Sequence, residues 1–166
     1  MMRHTLSVVV EDQSGVLARV ASMFAQRAFN IHSLAVGPTH EEGRSRITLV
    51  VDAPDVEQLS KQLYKLVNVL KVTELAPDEA LESEIMLVRI AAGPDTRGTV
   101  VETASMLEAT LLDLGPTSVT FQMAGDPGKL ARFLEVMEPF GVVELVKSGR
   151  VAIARESTRA AARAAG

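Results

Sequence analysis

The feature that most constrains this chain is an abrupt change of hydrophobic period near its start. Leu6, Val8 and Val10 share one face of an alternating run over residues 4–11, the two-residue repeat of a half-buried strand. The polar loop Asp12-Gln13-Ser14-Gly15 follows. From Val16 onward, Leu17, Val20, Ala21, Phe24 and Ala28 recur at helical spacing while Arg19 and Gln26 face away. An apolar strand therefore runs through a short loop straight into an amphipathic helix.

The pattern continues in the same terms. Residues 30–38 read as a strand ending at Gly37-Pro38, Thr39-His40-Glu41-Glu42-Gly43 as a hairpin loop, and Ile47, Leu49 and Val51 as the next strand. Asp52-Ala53-Pro54-Asp55 breaks that strand and primes a helix. Its face Val56, Leu59, Leu63 and Leu66 lies opposite Glu57, Lys61 and Lys65. Val69 to Leu75 closes the unit. The order strand, helix, strand, strand, helix, strand is the ferredoxin-like plan, an antiparallel four-stranded sheet with both helices on one face. The other face is left bare, and around Val9 it is apolar. A bare face and unpaired edges together predict a homodimer.

Ala76-Pro77-Asp78-Glu79 is the best domain boundary, and beyond it the order repeats. Ile85 to Ala92 reads as a strand and Arg97 to Ala109 as a helix with Val101, Ala104 and Leu107 inward. Strands at about 110–114 and 118–123 flank Gly115-Pro116. Asp126 to Glu138 reads as a helix with Leu130, Phe133, Leu134 and Met137 inward, followed by strands Val142 to Val146 and Val151 to Ala154. The expected fold class is α+β: two ferredoxin-like domains at residues 1–77 and 78–156, with a frayed or flexible Ala- and Arg-rich tail at 157–166.

Composition removes several function classes. A net charge of -4 and only 4% aromatic residues, none of them Trp, argue against a nucleic-acid partner. The absence of cysteine excludes disulfides, thiolate metal sites and a cysteine nucleophile. Met1-Met2-Arg3-His4 leads into a strand rather than a signal peptide, and no apolar run approaches the roughly 18–20 residues that span a bilayer. A soluble, cytoplasmic chain with no membrane contact is expected.

The leading chemical centre is the loop Asp12-Gln13-Ser14-Gly15. Gly15 permits close approach, and the N–H groups of Gly15, Val16 and Leu17 at a helix start would face a small anion such as an amino-acid carboxylate. Asp12 or Ser14 could instead simply cap the helix. Asn30 reads as a turn residue, or as a ligand if a dimer brings the second strand of one copy near the loop of another. Gly125-Asp126-Pro127-Gly128-Lys129-Leu130 lacks the glycine spacing and the Ser or Thr of a phosphate-binding loop and reads as a helix start with Pro in its first turn. His4, His32 and His40 have no metal-ligand spacing. Glu11 and Asp12 point to opposite faces, a poor acid–base pair. Arg44 and Arg46 alternate on a strand and read as a solvated edge. Neither a catalytic nor a metal site is expected.

Several blocks resemble the regulatory (small) subunit of acetolactate synthase, also called acetohydroxyacid synthase. They are Leu6 through Val20, Phe24 through Leu34, Lys61 through Val72, Glu82 through Ile90 and Ser148 through Arg155. The resemblance implies an N-terminal ACT domain and a C-terminal ACT-like domain, in a homodimer that binds and activates the catalytic large subunit and confers feedback inhibition by valine. It implies an effector site between N-terminal domains, formed by Asp12, Gln13, Ser14, Gly15, Val16 and Leu17 with Asn30 and Ile31. It also implies that thiamine diphosphate, FAD and magnesium belong to the large subunit, leaving no cofactor here. The family often has Asn in place of Asp12 and Pro in place of Ser14. A carboxylate at position 12 would favour the effector's ammonium over its carboxylate by up to about 4 kcal/mol before screening, for charges ~4 Å apart at an effective dielectric near 20. A stand-alone ACT-domain amino-acid sensor acting on another protein is the alternative. A small RNA binder is disfavoured because aromatic RNP-type strands are absent.

Overall fold

Alternation sets the first strand, β1 (Arg3–Glu11), whose Leu6, Val8 and Val10 are buried beneath helices. In the computed structural model, which describes residues 3–27, 29–157 and 159, β1 is followed by α1 (Val16–Gln26), β2 (Asn30–Pro38), β3 (Arg44–Asp52), α2 (Val56–Leu63) and β4 (Val69–Leu75). The sheet order is β2-β3-β1-β4, antiparallel throughout, with Leu6 opposite Leu49 and Val8 opposite Ile47. Their side chains join Val16, Val20, Met23 and Phe24 of α1 and Leu59 and Leu63 of α2 in one core. Phe24 meets Phe29 edge-on, ring centroids 6.1 Å apart. Asp55 caps α2 by accepting from the Gln58 N–H at 2.9 Å.

The rest of the chain repeats the order with β5 (Ala80–Ala91), α3 (Arg97–Met106), β6 (Thr110–Leu114), β7 (Ser118–Gly125), α4 (Pro127–Met137) and β8 (Val142–Lys147), and ends in β9 (Val151–Ala154). Its strands run β6-β7-β5-β8. Met86, Val88 and Ile90 pack under Val100, Ala104, Leu130, Phe133 and Met137. Pro127 occupies the first turn of α4, and Asp126 caps it by accepting from the Lys129 N–H at 3.0 Å. The fold is α+β, with a β-α-β-β-α-β pattern in each unit.

The structure departs from the sequence reading at several points. Leu17 and Ala21 face outward, and Met23 takes the inward place, because the buried stripe of α1 starts at Val16 and advances through Val20, Met23 and Phe24. Ala28, also expected inward, lies outside the described residues, as do residues 160–166 of the tail. Val101 and Leu107 are only half-buried, and α3 stops at Met106 because Glu108 takes a positive φ of 63°. Leu66 follows α2 rather than belonging to it, and β5 begins five residues before Ile85. Arg44 and Arg46 lie on β3, which is an interior strand, so the solvated-edge reading fails; Arg44 instead pairs with Glu41 in the hairpin loop.

The helix-free face of the first unit is also not the bare apolar surface expected. Thr5, Ser7, Thr48 and Val50 on that face are all buried. The compact units comprise Met1–Leu81 with Arg150–Gly166, and Glu82–Gly149, so β9 groups with the first unit. The Arg150 N–H donates to Ser33 Oγ at 2.7 Å, and Ala152 is buried with Leu75 and Ala80. This returning segment lies against the face that alternation alone leaves open.

Leu49 and Leu34 stand opposite each other in the register, but Leu49 is fully buried while Leu34, on the edge strand, is 37% exposed. Leu49→Ala is expected to cost about 2–5 kcal/mol and Leu34→Ala well under half of that. Urea unfolding of the two variants checks the difference.

Candidate functional site

The strand-to-helix loop is held by its backbone rather than by its side chains. The Asp12 N–H donates to Gly43 O at 2.8 Å, Gln13 N–H to Glu11 O at 3.0 Å and Val16 N–H to Gln13 O at 3.4 Å. Gly15 turns the chain with φ 85° and ψ -5°, a left-handed conformation that costs a side-chain-bearing residue about 1–2 kcal/mol. No side chain caps α1, which removes the reading of Asp12 or Ser14 as an ordinary cap. Among the described residues the N–H groups of Leu17 and Ala18 meet no protein acceptor. Nothing lies within 4 Å of where a Gly15 Cβ would stand, so the approach to these amides is open. Val16 is buried and anchors the helix start, whereas Asp12, Gln13, Ser14 and Leu17 are exposed around it. This is an electropositive helix terminus accessible to a small anion.

Asn68, a residue that sequence reasoning missed, ties the loop to the core of its unit. It is 6% exposed. Its Nδ2 donates to Glu11 Oε2 at 2.8 Å and Gln13 Oε1 at 3.3 Å, while Arg19 Nη1 donates to its Oδ1 at 2.5 Å. Its carbonyl also accepts from the Glu11 N–H at 2.9 Å. Gln13 is therefore committed to positioning the loop, and Arg19 is more than a solvated side chain. The signal was a polar amide between Val67 and Val69, where the chain enters β4. A buried amide there needs all of its partners.

Asn30 and Ile31 open β2, and the structure does not bring them to the loop of the same chain. Asn30 stands opposite Asp52, and Glu11 opposite Arg44, at the other end of β3. Eight residue steps along that strand separate the two ends by roughly 27 Å. Ile31 is half-buried against the core, and Asn30 is exposed. The register shifts between Ile31 and Ser33, a bulge that re-aims His32. His32 Nε2 lies 2.5 Å from Asp52 Oδ2, and the Asn30 amide lies 3.3 Å from the same nitrogen. The His32 hydrogen bond, with the charges of His32 and Arg3, holds the Asp52 carboxyl below its ordinary value of 3.8 against the opposing effect of burial. His4 is paired as well, its Nδ1 2.7 Å from Glu74 Oε1. Among the described residues no group of three or more His, Asp or Glu side chains is placed to hold a metal ion.

Residues 6–71 match the family described as the AHAS small subunit-like ACT domain, and residues 83–156 match the small subunit of acetolactate synthase. The acetolactate synthase small subunit of Mycobacterium bovis is 46% identical over 154 residues, covering 92% of each chain. A probable acetolactate synthase small subunit of Archaeoglobus fulgidus is 42% identical over 156 residues, covering 93% of this chain and 98% of its own. The crystal structure of the acetolactate synthase small subunit from Thermotoga maritima gives a TM-score of 0.84 at 30% identity, covering 93% of this chain and 98% of that one.

Two expectations follow from the site geometry. Asn68→Ala removes the shared partner of Arg19, Glu11 and Gln13 and is expected to destabilise the first unit by about 1–3 kcal/mol, read by urea unfolding. Because the folded-state pKa of Asp52 is lowered, its stabilisation is complete above the ordinary value and is lost as pH falls through the folded one. The stability gap between wild type and Asp52→Asn should accordingly shrink as pH falls below the ordinary carboxylate value of 3.8, as measured by unfolding at each pH.

Proposed function

The chain belongs to the family of acetolactate synthase small subunits, and from that premise we propose that it activates the catalytic large subunit and subjects it to feedback inhibition by a branched-chain amino acid, valine in the first instance. It has a regulatory rather than a catalytic role. Thiamine diphosphate, FAD and magnesium belong to the large subunit in this reading, and the complex works in the cytoplasm. Among the described residues no helix is long and apolar enough to cross a membrane.

The observation that carries the reading is the uncapped start of α1 together with the position of Asn30. Within one chain they are at opposite ends of the sheet, but β2 is an edge strand among the described residues and can pair with a second copy. Antiparallel pairing of two β2 strands about Leu34 sets Asn30 of the second copy opposite Pro38. Pro38 faces Ser45, and Ser45 faces Val10. Asn30 of one copy thereby arrives at the end of the sheet where the other copy's β1 passes into the Asp12–Gly15 loop. Two such sites form in a symmetric homodimer. The effector's carboxylate is taken by the free amides at the α1 N-terminus, an arrangement worth about 0.3–1 kcal/mol and up to ~2 when partly buried. The Asp12 carboxylate and the Asn30 amide are left for its ammonium group. A ligand that bridges two protomers favours the dimer arrangement it fits, and that difference in affinity is what the large subunit reads.

Gly15→Asp puts a side chain and a negative charge into the open approach, and Asn30→Ala removes the contact from the second copy. Each is expected to weaken valine binding at least tenfold in calorimetry, to relieve inhibition of the reconstituted enzyme and to leave basal activation in place. Full valine sensitivity in both variants would refute the site. Failure of the chain to co-purify with a thiamine-dependent large subunit would turn the reading toward a stand-alone sensor.

A further inference from the structure

The cleft between α1 and α2 gathers positive charge that no carboxylate among the described residues pairs with directly. Its volume is about 420 Å3, and three of its lining residues, Arg19, Arg27 and Lys65, are cationic and exposed, while none is acidic. The chain as a whole is acidic, with a net charge of -4, so this local excess is not inherited from composition. Arg19 donates to Asn68 Oδ1 and Arg27 Nη2 donates to Gln62 Oε1 at 2.7 Å. Both acceptors are neutral amides, so each guanidinium is oriented without a direct ion pair and keeps most of its donors spare. Among the described residues Lys65 makes no ion pair, in contrast to Lys61, which pairs with Glu57 at 2.7 Å on the same helix. The floor of the cleft is apolar, formed by buried Met23 and half-buried Leu66.

We propose that this cleft is the surface on which the chain receives an acidic segment of the catalytic large subunit, an inference that rests on the function proposed above. An apolar floor edged by oriented cations fits a helix or loop that presents one apolar anchor between carboxylates. The cleft is open and its cations are exposed, so a lone small anion gains little there against screening over about 8 Å at physiological salt. A segment with several carboxylates sums the same contacts. The function proposed above assigns a second copy of the chain elsewhere, to the edge strand β2. The cleft also shares Arg19 with the Asn68 cluster, which holds Gln13 of the effector loop. Docking and effector loop therefore meet at one side chain.

The test is the affinity of the full-length chain for the large subunit of the same organism, measured by interferometry at two salt concentrations. Arg27→Glu/Lys65→Glu is expected to bind at least tenfold more weakly and to lose most of the salt dependence, with valine binding by calorimetry unchanged. Arg132→Glu, on exposed α4 of the other unit, is expected to match wild type. If the double charge reversal lowers the melting temperature, Arg27→Gln/Lys65→Gln replaces it, with an expected loss of at least threefold. Binding by either double variant within twofold of wild type overturns the docking surface while leaving the regulatory role intact. Failure of wild type to bind the large subunit overturns the regulatory role itself.

Discussion

The register of β1 against β3 and β4 is the constraint on which the rest depends. A strand repeats every two residues, so the pairing that buries Leu6, Val8 and Val10 under the helices cannot slip by one without turning all three to the other face. That pairing fixes where β1 ends, hence where Glu11 meets Asn68 and where the chain must turn at Gly15 to lay α1 back over the sheet. The helix start is left uncapped in an open position because backbone bonds, and not side-chain caps, hold the turn. A loop held in this way can present its amides to something outside the chain.

Polar residues in the first unit are arranged around two ends of one sheet. At the loop end, Asn68 gathers Glu11, Gln13 and Arg19, satisfying a buried amide with partners far away in sequence. At the other end, a bulge turns His32 onto Asp52 beside Asn30. Neither cluster has the geometry of a nucleophile–base pair or of a metal cage. Both tie down the two ends of the sheet from which the proposed effector site is assembled. That character agrees with the regulatory role proposed for the chain.

Much of the architecture was legible in the residues. The alternation of Ile47, Leu49 and Val51, the break at Asp52-Ala53-Pro54-Asp55 before a helix and the Pro127 helix start are local signals, each acting over a few residues, and the structure realises each of them. Less was legible where a choice depends on distant atoms. The inward face of α1 is phased by Val16 immediately after the Gly15 turn, which leaves Leu17 and Ala21 outside although their spacing is equally helical. Arg44 and Arg46 looked like an edge because their alternation does not reveal which strands flank them; β1 and β2 do. The supposedly bare face is occupied because β9 returns to the first unit, a contact across more than 100 residues such as Arg150 to Ser33.

The amino-acid sequence by itself determined the order of elements, the repeated β-α-β-β-α-β plan, the position of the glycine turn before the first helix and the resemblance that led to the family. These are properties of neighbouring residues, set by backbone sterics and by hydrophobic period. Only the tertiary structure decided that Asn30 and the Asp12–Gly15 loop lie at opposite ends of one sheet, that Asn68 bridges Glu11, Gln13 and Arg19, and that Arg27 and Lys65 share a cleft free of acids. The reason is geometric. Register and crossover choose which residues tens of positions apart become neighbours, and no periodicity along the chain encodes that choice.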